Sequence, residues 1–571
     1  MSKEERNLFA ESSAPRGAKR KKAGSKQVFK PYVQQQSMLL PPHLEELIPQ
    51  KHMVRVVNTT FEQLNVGPLL ATYNGGGTSA YHPRMLLKVL VYAYLSKIYS
   101  SRRIAKALRE DINMMWLSGM SRPDFRTINV FRSGRLKGVI DQVFSSMVLF
   151  LAQGKYIDLE QYFVDGTKLR ADNNKHKVLW AKNTRRYKEN VQQKIKILLE
   201  EIQCVNEEEN EHYGDNDLEE LGEHTTLSSE GVKEQVDQVR RLLQEKTPQP
   251  QVAKAVKEIE KKLLPRLQNY EQQERTLSGR NSYAKTDTDA TVFRMKDGQL
   301  LPAYNLLLGT QNQFIVNYSM HQRRASESDG FIAHMERFHQ LLGRYPTLAM
   351  GDCAYGSEEN YAFLANHQIG NYLKYNTYHR EQTKAYRDNL YRKEHFAYDT
   401  QTDRYRCPQG RELMFQQVRL TTTDNAYPIS SRVYQCVDCR GCPVAGDCKK
   451  GDAHRTISVN PILDTYRAQA RMNLESDLGK ALRKQRGVDV EPVFADIKYN
   501  QAYQRCRLRG KAKVNIEIGL LSIAHNLKKI AALSGPKNIS CSLSSALSEL
   551  CSTCTWVTTF WSASARPTWR R

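Results

Sequence analysis

Two short apolar runs that each stop at an aspartate constrain this chain most. Tyr162-Phe-Val-Asp-Gly-Thr-Lys168 and Leu348-Ala-Met-Gly-Asp-Cys-Ala-Tyr355 read as strands ending in Asp165 and Asp352. They lie 187 positions apart (352 minus 165), so the fold must carry distant segments together if the two acids act as one site. A third segment, Glu491-Pro-Val-Phe-Ala-Asp-Ile-Lys498, reads as a helix offering Glu491 and Lys498. Seven positions are almost two helical turns, which places both side chains on one face. Two strand-end aspartates and a helical glutamate make an all-oxygen donor set of the kind magnesium prefers. A pair of such ions activates the attacking oxygen and stabilises the leaving one in phosphodiester cleavage. Taken singly, a strand-end Asp next to Gly is more often a turn residue; the joint pattern carries the reading. Glu517 is a rival third carboxylate, but it lies on the apolar helix Val514 to Leu527 and is expected to form a buried hydrogen bond or ion pair.

Charge points to a polyanion. Lys plus Arg outnumber Asp plus Glu by 85 to 61, a net charge of +24, and nucleic acid is the first candidate partner. The 571 residues suggest several domains. Met1-Ser-Lys-Glu-Glu-Arg6 is charged and no apolar h-region follows, so no secretory signal is read. The longest apolar stretch, Met85 to Leu95, is interrupted by Lys88 and too short to span a bilayer. The expectation is a cytoplasmic, nucleoid-associated protein with no membrane partner.

Residues 1–30, centred on Lys19-Arg-Lys-Lys22, read as a disordered basic arm, for phosphate contact or for solubility. Residues 31–150 read as a helical domain. Within it, Ser100 to Leu108 and Arg122 to Leu136 form two short basic helices around the turn at Ser118-Gly119. They suit a helix-turn-helix DNA reader that places Arg102, Arg103, Arg126, Arg132 and Arg135 outward and Ile104, Leu108, Ile128 and Phe131 inward. A plain helical packing domain gives the same spacing.

Residues 181–279 are rich in Glu, Gln, Lys and Arg. Apolar residues recur at Val191, Ile195, Leu198 and Ile202, at Val232, Val236, Val239 and Leu243, and at Val252, Val256, Ile259 and Leu263. Spacings of three and four predict an amphipathic helical insertion, a coiled-coil hairpin in its simplest form. Trp180, just before it, is a candidate for stacking on an unpaired base, although a core position is the commoner fate of such a tryptophan.

On either side of the insertion, 155–180 and 280–380 alternate in the order strand, strand, strand, helix, strand, helix, strand. That is the order of an RNase H-like domain, whose first and fourth strands lie side by side. The fold class expected is therefore α/β (α+β): an RNase H-like core, a helical N-terminal domain, a helical insertion, a small cysteine-rich insertion at 381–460, and C-terminal helices at 461–533 carrying Glu491. In that insertion Cys436, Cys439, Cys442 and Cys448 follow Cys407. Thiolates at this spacing suit a tetrahedral structural zinc. Five candidates compete for four places, no histidine is read into the cluster, and free thiols are the competing reading.

The chain resembles the DDE transposases of bacterial insertion sequences over roughly residues 28–533. The resemblance rests on His82 to Leu90, Tyr99 to Ile104, Trp116-Leu-Ser-Gly119, Pro123 to Ile128, Glu491 to Lys498, Arg507-Leu-Arg-Gly510, Lys513 to Glu517 and Ala524 to Lys529. It implies that Asp165, Asp352 and Glu491 are the catalytic triad, holding two Mg²⁺ or Mn²⁺ ions. It implies that Lys498 contacts the phosphate of the cleaved strand. It further implies double-stranded partner DNA, both terminal inverted repeats and target, a homodimer in the active complex, and cleavage followed by transfer of the freed 3′-hydroxyl. Three departures stand out: Ala354 where relatives have glycine, Arg486 as a loose match to their arginine upstream of the glutamate, and an atypical tail at 534–571. Rich in Ser, Thr, Cys and Trp, that tail reads as a shifted frame or fused sequence, or as a family-specific extension.

Overall fold

A computed structural model describes residues 43–73, 79–213, 227–245, 250–322, 328–423, 425–449 and 451–533. The basic arm, the tail from 534 and the middle of the acidic stretch in the insertion lie outside the described residues. The chain divides into residues 1–47 and 48–571. The described part of the first unit holds the short helical turn Leu44–Leu47; everything below concerns the second.

Its centre is a mixed six-stranded sheet: β1 (Gln161–Arg170), β2 (Thr291–Arg294), β3 (Leu300–Gln311), β4 (Phe314–His321), β5 (Leu348–Gly351) and β6 (Gly370–Leu373). The order is β2-β3-β1-β5-β6, with β4 also on β3. The pairs β1–β3 and β3–β4 are antiparallel, and β1–β5 and β5–β6 are parallel. A buried run such as Tyr304 to Thr310 needs cover on both faces. The helix Phe331–Leu342 packs beside β4 on one side, and Pro461–Glu475 reaches β6. Gly309 of β3 lets Tyr162 cross the sheet: a Cβ there would meet the tyrosine hydroxyl at 2.0 Å. That hydroxyl is then held by His334 Nε2 at 2.6 Å and Asn317 at 3.0 Å.

Four helices carry part of the candidate side chains, Arg102, Arg103, Arg486, Glu491 and Glu517: α1 (Ser101–Glu110), α2 (Asp477–Asp489), α3 (Glu491–Ala495) and α4 (Lys511–Leu533). α4 is apolar nearly all round, and packs against β4 and against the N-terminal helices Pro83–Leu95 and Ile140–Gln153. Its Asn526 amide donates to the Ile315 carbonyl and accepts from the Ile315 amide, both at 2.8 Å, closing the ladder beside the register shift at Gly309/Thr310. One continuous core runs from Val54 and Phe61 through Tyr162 and Tyr304 to Ile530, so the N-terminal helices share their core with the sheet.

The insertion has a core of its own. Val191, Ile195 and Ile202 of helix Ala181–Tyr213 meet Val232 and Val236 of Ser229–Glu245, and Val256, Ile259 and Leu263 of the rod that runs from Pro250 to Leu277. Among the described residues three helical rods share this core, where a coiled-coil hairpin would use two. Residues 397–459 form a separate antiparallel sheet in the order Thr456–Val459, Pro428–Cys436, Glu412–Thr422, Arg404–Arg406, Ala397–Asp399. No helix among the described residues is long and apolar enough to cross a membrane.

Candidate active site

Strand pairing brings the two aspartates together. β1 and β5 run parallel with Phe163 opposite Met350, so Asp165 and Asp352 follow at matching places two residues on. Asp352 directly follows β5 as expected, but Asp165 does not end its strand: β1 runs on to Arg170 because β3 pairs with it all the way. Each accepts a hydrogen bond from the next amide, Gly166 at 2.7 Å and Cys353 at 2.6 Å, which fixes both carboxylates near the chain. Asp352 acts on Asp165. Burial raises the Asp165 carboxyl, the Arg486 guanidinium opposes that rise, and Asp352 adds to it. For Asp352 burial also pushes upward, but the Cys353 amide and the Arg486 charge outweigh it and hold the group below its ordinary value. Lys374 adds positive charge on that side.

Arg486 comes from α2, and its guanidinium lies 3.0 Å from Asp165 Oδ2. Spacing alone assigns it no definite place; it is the cation closest to the acid pair. Glu491 is exposed at the start of α3. Among the described residues no three His, Cys, Asp or Glu side chains stand as a ready metal cluster. The aspartates meet, then, without Glu491 already beside them as a third ligand. Its helix is short, because a π-helical turn, Asp496–Asn500, follows at once. Lys498 sits on this turn and donates to Thr167 Oγ1 of β1, two residues beyond Asp165. Asp496 anchors the same turn to α4 through His525 Nδ1 at 3.0 Å and through Lys528. Glu517 is fully buried, and accepts the Arg507 and Leu508 amides at 2.8 Å each. It therefore braces the loop before α4, as its apolar helix suggested.

The basic helices divide. Arg102, Arg103 and Arg126 are exposed, and Arg102 and Arg126 flank the Phe125 ring at 5.1 and 5.7 Å. Arg135 is exposed but committed to Tyr73, 4.6 Å from the ring, and to the Thr72 carbonyl. Arg132 corrects the expectation of one outward surface. It is 4% exposed and donates to the Tyr99 carbonyl at 2.7 Å and Ser101 Oγ at 3.1 Å. The three- and four-residue spacing that separates faces assumes a regular helix, and the chain here passes from Phe125–Val130 into the π-helical turn Phe131–Arg135. Ile104, Leu108, Ile128 and Phe131 are buried. Trp180 is 39% exposed, at the end of the short strand Val178–Trp180 where the insertion begins, so it is not the core tryptophan that composition favoured.

All five cysteines, Cys407, Cys436, Cys439, Cys442 and Cys448, line one cavity of about 20 Å³. The thiols of Cys436 and Cys448 are pushed up by burial. His454, which the cysteine spacing does not include, borders this cluster: its Nδ1 accepts the Cys439 amide at 3.1 Å.

Residues 42–134 match the family model "Transposase domain (DUF772)", and residues 406–531 match "Transposase DDE domain". The first span holds Arg102, Arg103, Arg126 and Arg132. The second holds the cysteines, Arg486, Glu491 and Lys498, while Asp165 and Asp352 lie outside both. No curated protein matches the chain. The two transposase matches lie in separate segments on either side of the residues that carry Asp165 and Asp352, and together they indicate a DDE transposase of the insertion-sequence type.

Proposed function

We propose that this transposase cleaves DNA at the ends of an insertion sequence and joins the freed 3′-hydroxyl to a target phosphodiester. The observation that carries the reading is the placement of Asp165, midway along β1, and Asp352, just past the end of β5, at matching register positions of neighbouring parallel strands. The order β4-β3-β1-β5-β6, with its first three strands antiparallel and its last pairs parallel, supports an RNase H-like core.

The donor chemistry fits divalent ions. Two backbone-anchored carboxylates supply hard oxygens, and the site already attracts a cation, Arg486. Asp165 and Asp352, with Glu491 as third ligand, would hold two Mg²⁺ or Mn²⁺ ions. Such ions supply Lewis acidity at the scissile phosphate and lower the pKa of the attacking oxygen. The protein's own part is positional. β1 and β5 fix the acids, Arg486 balances their charge, and Lys498 beside Thr167 offers an ammonium to a phosphate of the cut strand. The exposed Arg102, Arg103 and Arg126 would supply a basic surface for the terminal inverted repeats, and the exposed Trp180 would stack on an unpaired base. The five cysteines that line one cavity carry the donor chemistry of a structural zinc, with His454 at their border; since no three of them stand as a ready cluster, four sulfurs would close in to hold the ion. Two copies acting on two ends make a homodimer the expected active form.

The test is Mg²⁺-dependent nicking and joining on a plasmid that carries the gene with its flanking DNA. Joined products support the transposase mechanism. Cutting without joining indicates a nuclease, and end binding without cutting indicates a decayed enzyme.

A further inference from the structure

Past Asp165, β1 continues as a wall of an open groove of about 520 Å³. Thr167, Lys168, Arg294, Lys296, Lys498 and Tyr499 are among its lining residues. Three features single it out. First, it adjoins the acid pair: Gly166 and Thr167, which directly follow Asp165 on β1, line it. Second, its charge is poorly neutralised. Lys168 donates to the carbonyl of Arg294 at 3.2 Å and lies 5.9 Å from the Phe293 ring, both neutral partners. Arg294 and Lys296 are exposed. Among the described residues that line the groove, Asp297 is the one carboxylate, and Arg170 holds it at 3.2 Å. Third, Tyr499 is 73% exposed on the turn that carries Lys498. A large aromatic ring left in water among cations is the arrangement that grips single strands, with charge on the phosphates and a π-face for a base. The volume admits a nucleotide or two of one strand.

We propose that this groove carries a single DNA strand leading from the cleavage point, with Arg294 and Lys296 on its phosphates and Tyr499 stacked on a base. The inference rests on the reading of the chain as a DNA-cutting enzyme, and it adds a single-strand site beside the acids.

The probe is a fluorescein-labelled oligothymidine of about 20 nucleotides, longer than the ~4–16 that one single-strand platform covers. Its affinity for the full chain is measured by anisotropy across a salt series. The Arg294→Ala/Lys296→Ala variant should lower the log–log salt slope by about 1.4, at ~0.7 for each neutralised phosphate. Tyr499→Ala should weaken binding about 5- to 150-fold, and Tyr499→Phe should not. An unchanged slope in the double variant, or an unchanged affinity in Tyr499→Ala, overturns the proposal. Nicking of the plasmid is scored in parallel. Wild-type protein that does not nick removes the DNA-cutting reading, whereas normal nicking with unmoved oligothymidine binding removes the groove alone.

Discussion

Arg486 Nη2 lies 3.0 Å from Asp165 Oδ2, and both side chains are mostly buried, at 12% and 21% exposure. The pair ties α2, five residues before Glu491, to the strand that carries the first acid. It also sets a fixed cation against the carboxylate whose charge Asp352 opposes. Any divalent ion that takes the same oxygens must compete with this guanidinium.

That competition is measurable. Arg486→Ala should cost about 3 kcal/mol of stability, because it strands a largely buried carboxylate without its counter-ion. Added Mg²⁺ should then raise the melting temperature of Arg486→Ala more than that of wild type, since ligand binding to the folded state stabilises it by mass action. Equal shifts in the two proteins would show that ion and guanidinium do not share Asp165.

Asp165→Asn and Asp352→Asn should each reduce Mg²⁺-dependent nicking by more than the roughly 10–100-fold lost when a residue behind a metal ligand is removed. End binding should persist, because the exposed arginines sit on other elements. Glu491→Gln tests the third ligand separately. A Glu491→Gln protein that nicks like wild type would confine the metal chemistry to the aspartate pair.

The aspartate pair was legible because an apolar run before an aspartate and the alternating element order are written in local sequence, and β1–β5 pairing follows from that order; that β1 runs on past Asp165 to Arg170 along β3 was not. What the sequence hid are features set by long-range packing. Arg486 looked like a poor match by spacing, yet α2 is directed so that its guanidinium reaches Asp165. Arg132 looked like its neighbours in a basic helix, but a π-helical turn rotates it inward under Tyr99 and Ser101. The expected regular helix from Glu491 to Lys498 is likewise broken at Asp496, whose ties to His525 and Lys528 lie about thirty positions away. His454 lies outside the cysteine spacing and reaches the cluster by a fold-back of the chain.

Asp496 should behave as a structural anchor. Burial opposes its charge, but the hydrogen bonds from His525 and Lys528 outweigh it and hold the carboxyl well below its ordinary value. A depressed carboxylate contributes stability above its unfolded pKa, about 3.9, and loses it as pH falls below that toward the folded value. Asp496→Asn should therefore cost about 2 kcal/mol near neutral pH, less than the ~3–5 of a fully buried pair because Lys528 is 46% exposed. The deficit should shrink as the pH is lowered through about 4 to 2. Urea midpoints across that range check it, and a deficit independent of pH would assign the loss to packing.

The arginines of the N-terminal helices should separate by role. Arg132→Ala should destabilise by about 2 kcal/mol, because buried carbonyl and hydroxyl partners lose their donor. It should leave the salt dependence of duplex binding unchanged. Arg102→Ala/Arg103→Ala should do the reverse, keeping stability and lowering the salt slope by about 0.9 for each phosphate left without its arginine. Thermal melts and binding titrations on the same preparations distinguish the two. A changed slope in Arg132→Ala at full stability would return that residue to the DNA surface.

The cysteine cluster offers the last test. Zinc–sulfur bonds near 2.3 Å draw four sulfurs to within about 4 Å of one another, and the five thiols already share one small cavity. Protein purified without chelator should carry about one zinc per chain. Removing the metal should expose thiols to a reporter reagent and lower the melting temperature, because binding energy at a structural site is folding energy. Cys436 is the most buried of the five and its thiol is the one most opposed to ionising unaided, so Cys436→Ser should lose both zinc and stability. Single serine variants at Cys407 and Cys448 then decide the fourth ligand, since only the true ligand should lower the zinc content. Metal-free protein with freely reactive thiols and an unmoved melting temperature would leave the cluster a packed group of cysteines.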